Sequence, residues 1–224
     1  MSALSGLAAA LAYGWFCFAY VAFIASGALP SEARPGRRAP IRVVVDRLCF
    51  FVAVLVIPAL ILRLAFKVAP AGVGFVVGDV ASWAPATLGL SAVGFSVGLF
   101  ARKSPADMAS YPQYLPQRWD VRAALLEIGS WTLYLAAYEF AFRGYLLAAI
   151  LPLGPLAAVA VTTALYSVAH LPKSPKEAAG AILFGVIAAA LALRYGSFLP
   201  ALAIHLALAL GNDLGALRAA KKAS

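Results

Sequence analysis

The sequence predicts an all-α fold, a polytopic transmembrane helical bundle of about seven spans, with six to eight possible at one ambiguous stretch. Three observations predict it. Of 224 residues, 63% are hydrophobic and only 12% charged, where soluble domains run nearer half and a quarter. Charge-free apolar runs recur along the chain, each close to the ~20 residues that cross about 30 Å of hydrocarbon. The period-2 alternation of a membrane β-barrel is absent.

The first run, residues 3–29, lacks a basic segment before it and is too long for a signal-peptide core, so it reads as a retained span. Further spans are expected at 48–67, 84–101, 123–151, 155–171, 178–195 and 198–216. Residues 68–85, "VAPAGVGFVVGDVASWAP", are glycine-rich and apolar with one acid, Asp79, and fit either a re-entrant segment or an extension of the third span. Gly94 and Gly98 form a G-x-x-x-G in that span, a pattern that lets two helix backbones approach closely. Three regions follow: N-terminal helices over 1–119, a four-span core over 120–216, and a basic tail over 217–224.

Charge orients the chain. With the N-terminus outside, fourteen of the 18 Lys and Arg residues fall on cytoplasmic segments: Arg34, Arg37, Arg38, Arg42 and Arg47, then Arg102, Lys103, Arg118 and Arg122, then Lys173 and Lys176, then Arg218, Lys221 and Lys222. Lys67 and Arg194 face the other side, and Arg63 sits where its stem can snorkel to the interface. The expected location is therefore the cell (inner or plasma) membrane, multi-pass, with a cytoplasmic C-terminus. The net charge of +9 is accounted for by these loops. No soluble basic domain exists to bind nucleic acid. Cys17 and Cys49 lack the spacing of a metal site or a disulfide framework.

Few ionisable groups remain inside the spans, and they gather in the C-terminal half: Glu127, Glu139, Arg143, His170 and His205, with Asn212 and Asp213 near the end of the last span. Each is costly at membrane depth unless paired or hydrated, which makes it a candidate functional residue. Glu139 and Arg143, at i and i+4, share a helix face and could simply neutralise each other. His170 or His205 alone would ordinarily be a structural histidine. Counted from the turns at Gly154 and Gly196, Glu139, His170 and Asn212 lie about 22–24 Å deep, with Arg143 and His205 about 16 and 14 Å deep. One carboxylate and two imidazoles at a shared site suit general acid–base attack of water on a carbonyl. The same Glu/His/His set could hold zinc, although no H-E-x-x-H is present. A transporter path is the less fitting alternative, since inverted repeats and paired broken helices are absent.

The order of these motifs resembles the CPBP family, the CAAX-prenyl-protease-type glutamic intramembrane endopeptidases also called Abi proteins. The resemblance rests on "YEFAFRGYLLAAIL" and on "ALYSVAHLPKSPKEAAGAILFGVIAAALALRYGSFLPALAIHLALALGND", and covers roughly residues 120–216. It implies a protease without a cofactor, acting on a membrane protein or peptide substrate within the lipid bilayer. By the family pattern EExxxR, FxxxH and HxxxN, Glu139 matches the second Glu, Arg143 the Arg, His170 the motif-two His (with Tyr166 for Phe) and His205 the last His. The resemblance then implies Glu139 and His170 as the acid–base pair, Arg143 orienting Glu139, and His205 with Asn212 binding the oxyanion. Two positions depart from the pattern. Tyr138 stands where the first Glu is expected, and Ala209 where the Asn is expected, with Asn212 the nearest substitute. A tyrosine is no base near neutral pH. One helical step turns a side chain by about 100°, so Glu139 could take the missing Glu's place only on a rotated or bulged helix. The alternative is a non-catalytic CPBP-like pseudoprotease serving as a membrane scaffold or binding protein.

Overall fold

A computed structural model describes residues 6–26, 39–101, 111–114, 116–171 and 174–223. Arg34, Arg37, Arg38, Arg102, Lys103 and Lys173, used above to orient the chain, lie outside the described residues. Among the described residues, seven helices account for the expected bundle: α1 Gly6–Ala25, α2 Pro40–Leu64, α3 Val80–Phe100, α4 Val121–Leu153, α5 Pro155–Val168, α6 Pro175–Tyr195 and α7 Leu199–Ala223. Six are long and apolar enough to cross a membrane. The 14-residue α5 spans only about 21 Å.

Local chemistry sets most of the ends. Asp120 caps α4, accepting from the Ala123 N–H at 2.8 Å, and Asp79 caps α3 through the Ala81 N–H at 3.1 Å. Ser174 caps α6 through the Glu177 N–H at 3.1 Å, in a Ser-x-x-Glu arrangement. The 3-10 turn Leu151–Leu153, with Pro152 inside it, ends α4 at Gly154, whose φ of 101° suits glycine.

α2 begins at Pro40, eight residues before the expected 48. Arg42, Asp46 and Arg47 read as a loop because they are charged, but the fold pairs them. Arg42 Nε meets Asp46 Oδ1 at 2.8 Å along the helix. Arg47, 3% exposed, reaches Glu127 Oε2 at 2.9 Å and Ser130 Oγ at 2.8 Å, and its guanidinium lies 3.9 Å over the Trp131 ring. Arg47 is thus a buried ion-pair residue rather than a topology-setting loop charge, and Glu127 is its counter-ion.

The ambiguous stretch after α2 divides: residues 80–85 belong to α3, which starts at Val80 rather than 84, and the part before them is a separate segment. That segment holds the 3-10 turn Pro70–Val73 and passes Gly74 and Gly78 at φ 69° and 67°. It is pinned to the α6–α7 turn by the Ser197 Oγ to Val76 O bond of 2.6 Å. Gly72 and Val73 are buried, and the Phe75 ring packs edge-on against Phe140 at 5.7 Å.

α4 is the most buried span and forms the centre, with α2, α7 and α1 packed around it. α3 lies along α7, and α5 along α6. Of the G-x-x-x-G, Gly98 makes the close approach its pattern implied, while a Cβ on Gly94 would meet only ordinary contact at 3.6 Å. A Cβ on Gly98 would sit 2.6 Å from both Asn212 N and Leu208 O, and one on Gly211 only 2.3 Å from Phe95 O. Both clashes are with backbone, so no side chain can yield. Gly211→Ala is therefore expected to force α3 and α7 apart and to lower stability by about 1–3 kcal/mol or more, read as a drop in thermal unfolding midpoint in detergent. An unchanged midpoint would show that the two helices do not pack this closely.

Candidate functional site

Two irregularities of helix geometry shape the site. α4 runs as an α-helix to Glu139, widens into a π-helix over Phe140–Leu146, and returns to α over Leu147–Ile150. α2 carries a second π segment, Val52–Val56, just before Pro58, which has no N–H to donate; the Ile57 N–H bonds back to Val52 O. Such bulges concentrate at functional sites. The one in α4 falls directly after Glu139. Gly144 within it faces Val73 O so closely that a Cβ there would sit 2.9 Å away.

Glu139 is fully buried, and its two oxygens face different partners. Oε1 lies 2.6 Å from His205 Nδ1, and Oε2 lies 3.3 Å from Arg143 Nε. Arg143, 1% exposed, has no hydrogen-bond partner for its three nitrogens among the described residues, and its guanidinium stacks 4.1 Å over the Tyr166 ring. A carboxylate and a guanidinium this deep are tolerable only as a pair, with the ring face adding cation–π attraction. The imidazole of His205 completes a Glu–Arg–His constellation drawn from α4 and α7.

A cavity of about 380 Å³ lies against this constellation. His170, His205 and Asn212 line it, as do Tyr138, Tyr166 and Phe184; Glu139 and Arg143 do not. His205 therefore stands between the buried carboxylate and the open space. His170 follows the end of α5, and its Nδ1 lies 2.9 Å from Tyr166 O. Its ring is 5.8 Å from that of Tyr138, and His205 is 6.3 Å from the same ring. One end of the cavity is lined by Tyr111, Lys176 and Glu177, while Leu90, Val93 and Val97 of α3 and Leu183 and Ile187 of α6 make its walls apolar.

The sequence-derived candidates thus fall in two groups: Glu139 with Arg143 and His205 in direct contact, and His170, His205 and Asn212 around one cavity. The depth count placed His205 above Glu139, whereas the two side chains touch. The π segment coils more widely and advances less per residue than the straight α-helix assumed, and two long side chains close the remaining gap. The helix is bulged, but the bulge begins after Glu139 and so does not turn Glu139 into the missing Glu's place. Tyr138 and Glu139 keep an ordinary helical step between them, so Tyr138 faces the cavity and Glu139 does not. Among the described residues no group of three His, Cys, Asp or Glu could hold a metal ion, so the Glu/His/His set does not assemble as a zinc site. The apolar walls from α3 and the aromatic contacts from α1 were not foreseen, because neither helix carries an interior charge to draw attention to it.

Fold and site together define a multi-pass helical membrane protein with a carboxylate, a guanidinium and imidazoles gathered inside its bundle. Residues 121–210, from the start of α4 well into α7, match the family model described as type II CAAX prenyl endopeptidase Rce1-like. No curated protein and no solved structure gives a significant match.

Proposed function

We propose that the chain is an intramembrane endopeptidase that hydrolyses a peptide bond of a membrane-associated protein with histidine-activated water. The observation that carries this is the 2.6 Å contact between Glu139 Oε1 and His205 Nδ1, with His205, His170 and Asn212 around one cavity. A carboxylate accepting from Nδ1–H fixes the imidazole tautomer and leaves the Nε2 lone pair as the base. His205 Nε2 takes a proton from water, and the hydroxide forms a bond to the carbonyl carbon. Asn212 donates through its side-chain amide to the resulting oxyanion, while His170, whose Nδ1–H is given to Tyr166 O, turns its Nε2 lone pair toward the water. Collapse breaks the C–N bond, and the proton held on His205 passes to the leaving amine. Arg143 lies 3.3 Å from the second carboxylate oxygen of Glu139 and is its partner in the bundle interior.

We place the N-terminus outside and the C-terminus cytoplasmic in the cell membrane, a reading supported by the bias of the loop basic residues other than Arg47. The test is cleavage by purified protein, in detergent or lipid, of a panel of membrane-associated peptides that includes a prenylated C-terminus, the substrate class in the matched family's description. His205→Ala and His170→Ala are each expected to lower cleavage about 10²–10⁴-fold. Cleavage that survives both substitutions would overturn the site.

One observation favours a second reading. The cavity-facing position beside Glu139 is held by Tyr138, which is 4% exposed and cannot serve as a carboxylate. On that reading the chain is a CPBP-like pseudoprotease that binds a membrane peptide without cutting it. Wild type that binds panel peptides with measurable affinity and cleaves none of them decides for it.

A further inference from the structure

The matched segment begins at residue 121, yet α1 enters the site. α5 is short and ends at Val168, so the backbone carrying His170 lies beyond the last regular turn. Helix carbonyls there lack partners from their own ladder. His170 N–H reaches back to Ser167 O at 3.0 Å, a tight turn, and Ser167 Oγ is tied to Ala178 O at 2.7 Å on α6. On the opposite side, the Ala169 carbonyl accepts a hydrogen bond from the Tyr20 hydroxyl of α1. Ala169 is buried and immediately precedes His170.

Tyr20 is placed for this by aromatic packing. Its ring stacks on Phe16 at 5.6 Å, and Phe16 meets Phe142 of the π segment edge-on at 5.1 Å. Tyr20 also lies 6.2 Å from the ring of Tyr138, which in turn stands edge-on to His170 at 5.8 Å. The backbone before His170 and the ring beside it thus both lean on one side chain from α1. Another long-range bond from an α1 side chain, Trp15 Nε1 to Ala53 O at 2.6 Å, holds α1 to α2 instead.

We propose that Tyr20 is a positioning residue for His170: the bond from its hydroxyl to the Ala169 carbonyl fixes the turn that presents the imidazole to the cavity. The catalytic part of this rests on the endopeptidase reading; the positioning part does not. A donor lost here leaves a buried carbonyl unpaired, and the turn relaxes to find another partner.

The chain has two histidines, so protein selectively labelled with ¹³C-histidine gives two ring signals, assigned with His170→Ala and His205→Ala. Tyr20→Phe keeps the ring and removes the donor. It is expected to shift or broaden the His170 signal beyond its linewidth and to leave that of His205 in place. Trp15→Phe, which loosens α1 elsewhere, is expected to move neither. Where cleavage is measurable, Tyr20→Phe is expected to lower kcat about tenfold with KM unchanged. Tyr20→Met, smaller and also donor-free, carries the same expectation if the Phe variant does not fold. An unchanged His170 signal in the donor-free variant overturns the proposal, as does an equal change in Trp15→Phe. A selective His170 shift in a protein that cleaves nothing sustains Tyr20 as a positioning residue and removes only the endopeptidase reading.

Discussion

Glu139→Gln is expected to abolish cleavage and to destabilise the fold at once. The two effects come from the two oxygens. On the His205 side, the amide no longer holds Nδ1–H with a full negative charge, and through its NH₂ it can donate to Nδ1 instead. That tautomer carries its proton on Nε2 and has no lone pair for water, so a loss of about 10²–10⁴ in kcat is expected. On the Arg143 side, a guanidinium that is 1% exposed loses the counter-ion 3.3 Å from its Nε. Breaking a buried pair by removing one partner costs about 3–5 kcal/mol. The ring of Tyr166 remains beneath the charge but does not neutralise it.

The two effects separate in a double variant. Glu139→Gln with Arg143→Met removes both charges and keeps comparable volume, so most of the lost stability is expected to return, since an apolar replacement of a buried pair is often neutral. Activity is not expected to return with it. Unfolding midpoints and cleavage rates of the wild type, both single variants and the double variant give the coupling directly. If the double variant is no more stable than Glu139→Gln, the pair is not the source of the loss. If it cleaves like wild type, Glu139 has no role in the reaction.

The helical fold and the site residues were legible to different depths. Apolar runs of membrane length announced the helices, because hydrocarbon thickness leaves few alternatives. Charge misled at the start of α2. Arg42 and Asp46, four apart, carried a local helical signal that the loop reading passed over, whereas Arg47 and Glu127, 80 positions apart, leave no local trace. The four-residue spacing of Glu139 and Arg143 is a local signal and gave their contact. The contact between Glu139 and His205 depends on how two helices lean, which a count of residues from a turn does not contain. The π segment was not legible, since "FAFRGYL" carries no proline and reads as ordinary helix. The contribution of α1 was invisible for a simpler reason: Phe16 and Tyr20 look the same whether they face lipid or a reaction site.

Tyr138→Glu is expected to raise the rate of peptide cleavage while lowering stability. Position 138 faces the cavity between the two imidazoles, with ring distances of 5.8 Å to His170 and 6.3 Å to His205. A carboxylate there supplies a base in the open space that Glu139, sealed behind His205, does not reach. It also restores the E-E-x-x-x-R pattern. Positioned general bases contribute about 10²–10⁴-fold, and a newly placed one is expected at the lower end. The cost is the Tyr138 ring, which packs against Phe50, Tyr134 and Phe142 at 6.3, 6.0 and 5.1 Å. Truncating a buried aromatic side chain of this size removes about 3–5 kcal/mol. The rate is therefore read per folded molecule, below the variant's unfolding midpoint. Tyr138→Gln, with the same shape and no charge, is expected to share the loss of stability and show no gain. Equal rates for the Glu and Gln variants would mean that position 138 is a packing site and that the Glu139–His205 pair carries the chemistry unaided. A gain in the Glu variant over a silent wild type would instead place this chain among proteins that keep the protease architecture and lack only its water-activating carboxylate.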